Sequence, residues 1–165
     1  MPFNRIGGFY IGNFSILESQ AMTIDDQNDE LNDALETRLG QLGAAIEAHE
    51  KALKAMKIPR DVWCRYDSKD ITDDDGQSTG RSHDYYMGMI KWQGSWRLCH
   101  DVCYSEDHSS EFSWKPLVDC SVPDRLRAAQ HLDKLRAKIV ADKKKVIPQI
   151  EAAIEGLVKS LDNVE

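Results

Sequence analysis

Nothing in the chain offers itself as a membrane span. Its longest apolar runs last only a few residues, whereas crossing a bilayer as a helix takes about 20. The opening MPFNRIGGFYIGNFSILESQ holds one arginine and a broken apolar stretch, without the continuous hydrophobic region or small-residue cleavage site of a secretory signal. A cytoplasmic location is the expectation. Basic charge is in deficit as well: 21 Lys and Arg against 28 Asp and Glu leave a net charge of -7. That balance argues against direct binding of nucleic acid or of an anionic membrane, both of which demand a basic surface. The four cysteines, Cys64, Cys99, Cys103 and Cys120, are expected as buried thiols, since disulfides belong to oxidising compartments. No nucleophile elbow, phosphate-binding glycine loop or metal-ligand spacing occurs, and the glycines match no nucleotide-binding fingerprint. No cofactor is expected.

What is present belongs to an ordinary globular chain. Charged residues make up 30% and apolar ones 41% of 165 residues, enough for one domain with a core and too few for two. The predicted organisation is an N-terminal arm over residues 1–24, with three of the four phenylalanines, followed by a single α+β domain over 25–165. Charge is uneven along it: residues 61–121 carry 6 basic and 12 acidic side chains, residues 122–165 carry 9 and 7.

The segment Tyr85 to Tyr104, YYMGMIKWQGSWRLCHDVCY, is the organising element. Alternation at period two, aromatic enrichment and a Gly in mid-segment predict a β-hairpin turning at Gln93-Gly94. Trp92 then pairs with Ser95, Lys91 with Trp96, Ile90 with Arg97 and Met89 with Leu98. Tyr85, Met87, Met89, Trp96, Leu98, His100 and Val102 fall on one face, which is assigned to the core. Tyr86, Gly88, Ile90, Trp92, Arg97, Cys99, Asp101 and Cys103 fall on the other.

Long helical patterns flank this segment. Leu31, Leu35, Leu39, Leu42, Ile46, Leu53 and Met56 form one stripe, predicting a helix over 26–57 that ends before Pro59. Ser121-Val122-Pro123-Asp124 is a helix start with Ser as N-cap, predicting a second helix over 122–163. Its stripe runs through Leu126, Leu132, Leu135, Ile139, Val146 or Ile147, Ile150, Ile154, Leu157 and Leu161, and Pro148 is expected to kink or break it near residues 145–147. Between the helices, an antiparallel meander of about four strands is expected over 60–118. It comprises a strand at 60–67, an acidic loop at 68–84, the hairpin, a second polar loop, and an edge strand from Phe112 to about Val118 containing Pro116. Helices of about 30 and 40 residues outreach so small a sheet. Part of each stripe is therefore expected to meet another helix, and a homodimer is the expected state.

Three clusters hold residue types capable of chemistry. Asp73, Asp74 and Asp75 before Gly76 suggest a calcium loop, but the first and twelfth positions would be Ile71 and Ser82, so a solvated acidic loop is preferred. Cys99, His100 and Cys103 with His108 suggest zinc. On a regular strand, however, the two thiols stand about 13 Å apart and His100 points away. His83, Asp84, His100, Asp101 and His108 hold the ingredients of a metal-dependent hydrolase without any supporting motif. Tyr86, Trp92 and Arg97 on the outer sheet face have the composition of a binding hot spot. The reading that follows is a non-enzymatic interaction protein that self-associates through its helices. It would bind a protein partner through Tyr86, Trp92, Arg97 and the loop Asp73, Asp74, Asp75. An acidic mimic of nucleic acid that inhibits a nucleic-acid-processing protein, and the hydrolase, are the alternatives.

Overall fold

The computed structural model describes residues 23–105 and 112–162. The N-terminal arm, apart from its last two residues, lies outside the described residues, as does His108. The element order is α1 (Ile24–Lys54), β1 (Val62–Thr72), β2 (Ser78–Trp92), β3 (Ser95–Tyr104), β4 (Lys115–Pro116), a 3-10 turn (Leu117–Asp119), α2 (Val122–Ala129) and α3 (Leu132–Asp162). This is the α+β arrangement expected, with helices on either side of a four-stranded antiparallel meander in the order β1-β2-β3-β4. The chain divides into two units, Met1–Glu36 and Thr37–Glu165.

In the first unit, Thr23 caps α1. Its hydroxyl accepts the Asp26 N–H at 3.1 Å while the Asp26 carboxylate accepts the Thr23 N–H at 3.1 Å, so two N–H groups that a helix start leaves orphaned are satisfied reciprocally. Ile24, Leu31 and Leu35 on this part of α1 are exposed.

In the second unit the β2–β3 hairpin has the predicted register, Trp92 opposite Ser95 through Met89 opposite Leu98. Gln93 and Gly94 both take positive φ, 45° and 86°. That is the type I′ turn, whose twist matches that of the strands it joins. The predicted core face is the one that packs. Met87, Met89 and Leu98 are fully buried with Val62, Tyr66 and Tyr85 of the neighbouring strands, against Ile46 and Leu53 of α1, Ala128 of α2, and Leu132, Leu135 and Ile139 of α3.

Three expectations are corrected. Residues 68–84 are not a long loop: β1 runs to Thr72, β2 starts at Ser78, and only a short turn separates them. The Asp73 carboxylate accepts the N–H of Asp75 at 3.1 Å and of Gln77 at 2.8 Å, and Gly76 supplies φ 77°, so Asp-Gly acts as a hairpin signal here. The last strand shrinks to Lys115–Pro116, paired with His100 and Cys99 at the sheet edge. Finally, the C-terminal helix divides at Gln130-His131, where the His131 N–H returns to the Ala128 carbonyl at 3.0 Å, and α3 then continues past Pro148 to Asp162. His131 accordingly sits in the break, its ring 5.4 Å from that of Tyr66. The Ser121 cap forms as expected, accepting the Asp124 N–H at 3.3 Å and donating its hydroxyl to the Asp124 carboxylate at 2.6 Å.

Candidate functional site

The outer sheet face is an aromatic surface built from three segments. Trp63 on β1 lies opposite Gly88 on β2, and a Cβ at Gly88 would stand 2.7 Å from the Trp63 Cβ. Only glycine lets the indole lie over β2 this closely. Phe112 turns back across the same face, its ring 4.9 Å from Trp63 and 5.1 Å from Tyr86, and Trp114 stacks on it at 4.9 Å. Asp101 anchors the stretch after Phe112, its carboxylate accepting the Ser113 N–H at 2.9 Å. Beneath these rings Gly88 and Cys99 are buried, while Trp63 stays 43% exposed. Edge-on and stacked pairs at 4.5–7 Å hold their geometry without a deep core.

The three outer-face residues named from sequence are not one patch. Tyr86 belongs to the cluster just described. Trp92 is half-buried at the hairpin end, six residues along β2 and so about 20 Å away. The guanidinium of Arg97 is held by Glu50 of α1, Nε to the carboxylate oxygens at 3.0 and 3.2 Å. Sequence reasoning missed Phe112, assigned to a strand, and Trp63, which alternation places on this face. Besides that alternation, the available signal was the count of four tryptophans in a sheet with room to hide fewer.

Three of the six carboxylates between Asp67 and Asp84 are engaged within the chain. Asp67 accepts from Arg127 at 2.7 Å, and Asp84 from Arg65 at 3.2 Å and the Ser68 hydroxyl at 2.6 Å. Bonding to Ser68, against the opposing effect of burial and with help from Arg65 and Ser82, holds the Asp84 carboxyl below the usual carboxylate range. Asp73 is occupied by its turn, leaving Asp74 and Asp75 exposed. An acidic mimic needs a file of free carboxylates, and several of these are already spent on internal partners.

The hydrolase set does not converge. Asp84 and Asp101 lie on the outer face with Tyr86, their neighbour in the ladder, while His83 and His100 lie on the opposite face. Among the described residues no group of three or more His, Cys, Asp or Glu side chains is placed to hold a metal ion. All four cysteines are free thiols. Cys99 is fully buried on the outer side of β3 and His100 is buried on the inner side. The nearest approach to a catalytic pair is a cleft of ≈ 330 Å³ lined by His100, Asp101, Ser113, Lys115, Cys120 and Asp124, among others. There the Cys120 Sγ is 3.9 Å from His100 Nδ1 and 3.4 Å from the Pro116 carbonyl, to which the thiol donates. Burial pushes the Cys120 thiol up to about 11, and burial lowers His100 against the pull of Asp124 and Asp101. At neutral pH both groups are uncharged, the reverse of the thiolate and imidazolium a nucleophilic pair requires.

No helix among the described residues is long and apolar enough to cross a membrane. No protein-family model, curated protein or solved structure matches the chain.

Proposed function

We propose that this chain is a non-enzymatic interaction protein that binds a protein partner through its outer sheet face and associates with itself through its helices. The observation that supports it most is the Trp63, Tyr86, Phe112 and Trp114 cluster. Four aromatic rings are gathered on a sheet face with Trp63 nearly half exposed. Trp and Tyr, with Arg65 beside them on β1, make up the composition of interface hot spots, where a few large side chains carry most of the energy. The acidic turn at Asp74 and Asp75 adds a polar surface suited to steering a basic partner.

The test is capture from extracts of the native host by the immobilised chain, compared with Trp63→Ala and Phe112→Ala variants whose circular dichroism matches the wild type. A protein retained by the wild type and lost from both variants is the expected result. Equal retention by all three, or turnover of any substrate that depends on Cys120 and His100, contradicts the proposal.

A further inference from the structure

We infer that the distal half of α3, from Ile147 to Leu161, is the surface on which two copies of this chain pair, and that they pair antiparallel. This rests on the self-association part of the proposed function and names its residues and geometry. Ile147, Ile150, Ile154, Leu157 and Leu161 are each at least half exposed. Their spacing of three and four residues is the a/d pattern of a helix that packs against another helix. The first half of α3 is different. Leu132, Leu135 and Ile139 are buried on the sheet, and among the described residues the hydrogen bonds that tie α3 to the folded body reach as far as Asp142 with Arg60 at 3.0 Å and the Lys143 ammonium on the Met56 carbonyl.

Beyond those ties the helix has little to sustain it alone. It includes Pro148 and Gly156, both unfavourable in a helix interior, and a stretch of about 16 residues is marginal in water without an apolar face to bury. A second copy of the same seam meets that need. Five or six half-exposed aliphatic side chains offer on the order of 500 Å² per copy, and so roughly 1,000 Å² per pair, which reaches the lower bound of a specific interface.

Orientation follows from the course of the seam. Ile150 lies eleven residues past Ile139, about three helical turns, so the free seam continues the stripe that packs on the sheet. A partner helix laid parallel along that side would run into the folded body, whereas an antiparallel one places its own body beyond the other's C-terminal end.

The experiment places a photo-crosslinking benzoylphenylalanine at position 161 of the full chain at 20 µM. An equimolar mixture of isotope-labelled and unlabelled protein identifies cross-links between copies. The expected product joins position 161 of one copy to residues 144–150 of the other. The Ile150→Asp and Ile154→Asp double variant should abolish it, with self-association weakened at least hundredfold and near-ultraviolet circular dichroism unchanged. A cross-link to residues 157–162, a dimer that survives the double variant, or a dimer cross-linked elsewhere overturns this pairing and leaves the self-association reading standing. A wild-type chain that stays monomeric at this concentration overturns both.

Discussion

The carboxylate of Glu50 accepts the backbone N–H of Leu98 at 2.9 Å, so a side chain of α1 completes the open edge of β3. β4 pairs only at Cys99 and His100, leaving the Leu98 donor without a strand partner. Glu50 supplies one from a position 92% buried, and Arg97 and Lys54 neutralise it at 3.0 and 2.7 Å. Burial opposes the charge, but the bonds from Lys54, the Leu98 N–H and Arg97 outweigh it and hold the carboxyl below its usual range.

Glu50→Ala orphans a buried donor and frees two cations, and is expected to cost about 2–4 kcal/mol. Glu50→Gln keeps the shape without the charge and should cost less. Because the folded carboxyl titrates lower than the unfolded one, its contribution is complete above the unfolded pKa near 4.3 and fades as pH falls through the folded value. Urea melts of wild type and Glu50→Gln from pH 7 to 3 check this: the gap between them should narrow below about pH 4.5. A constant gap would mean that the charge of Glu50 contributes nothing.

His100 governs a separate, higher window. It is buried beside Tyr66 and Tyr85 with its Nε2 unpartnered, and burial, against Asp124 and Asp101, lowers its pKa. The unfolded chain then takes up a proton the folded one refuses, so stability declines as pH falls from about 6.5 toward the folded value. Thermal melts between pH 7.5 and 5 should show that decline in the wild type and a flatter profile in His100→Gln. Identical slopes would remove His100 from the account.

Gly88→Ala is expected to destabilise by about 1–3 kcal/mol, since the added methyl would meet the Trp63 Cβ at 2.7 Å and the Val62 carbonyl at 2.9 Å. Backbone cannot yield as a flexible side-chain tip can. Displacement of the indole should also shift the tryptophan emission, so fluorescence reads local change alongside the melt. An unaltered spectrum with unaltered stability would refute the close approach of β1 to β2.

Gln93 occupies the first position of the type I′ turn with φ 45°, where asparagine is better tolerated. Gln93→Asn should therefore stabilise by about 0.5 kcal/mol, raising Tm by roughly 1–2 °C, while Gly94→Ala, at φ 86°, should lower it.

The hairpin was legible in sequence because Gln93-Gly94 fixes the turn and alternation fixes the faces; once the turn is known, the register has no freedom left. The first hairpin is hidden in the sequence because β1 beyond Tyr66 and the start of β2 are largely exposed and polar on both sides, Ser68, Lys69 and Asp70 against Ser82 and Arg81. Nothing alternates there, and the signal was Asp75-Gly76 alone. The division of the C-terminal helix at Gln130-His131 involves neither Pro nor Gly, and so leaves no local mark. Trp63 and Phe112 are neighbours although Phe112 belongs to no paired strand, a contact that periodicity does not encode. The exposed seam of α3, by contrast, was visible in outline, because a stripe longer than the sheet must outrun it.

Static light scattering of the full chain at 5 to 100 µM tests the central claim most directly. The account predicts a mass approaching twice 18.7 kDa as concentration rises, and 18.7 kDa throughout for the Ile150→Asp and Ile154→Asp double variant. A wild-type mass of 18.7 kDa across the whole range would contradict it.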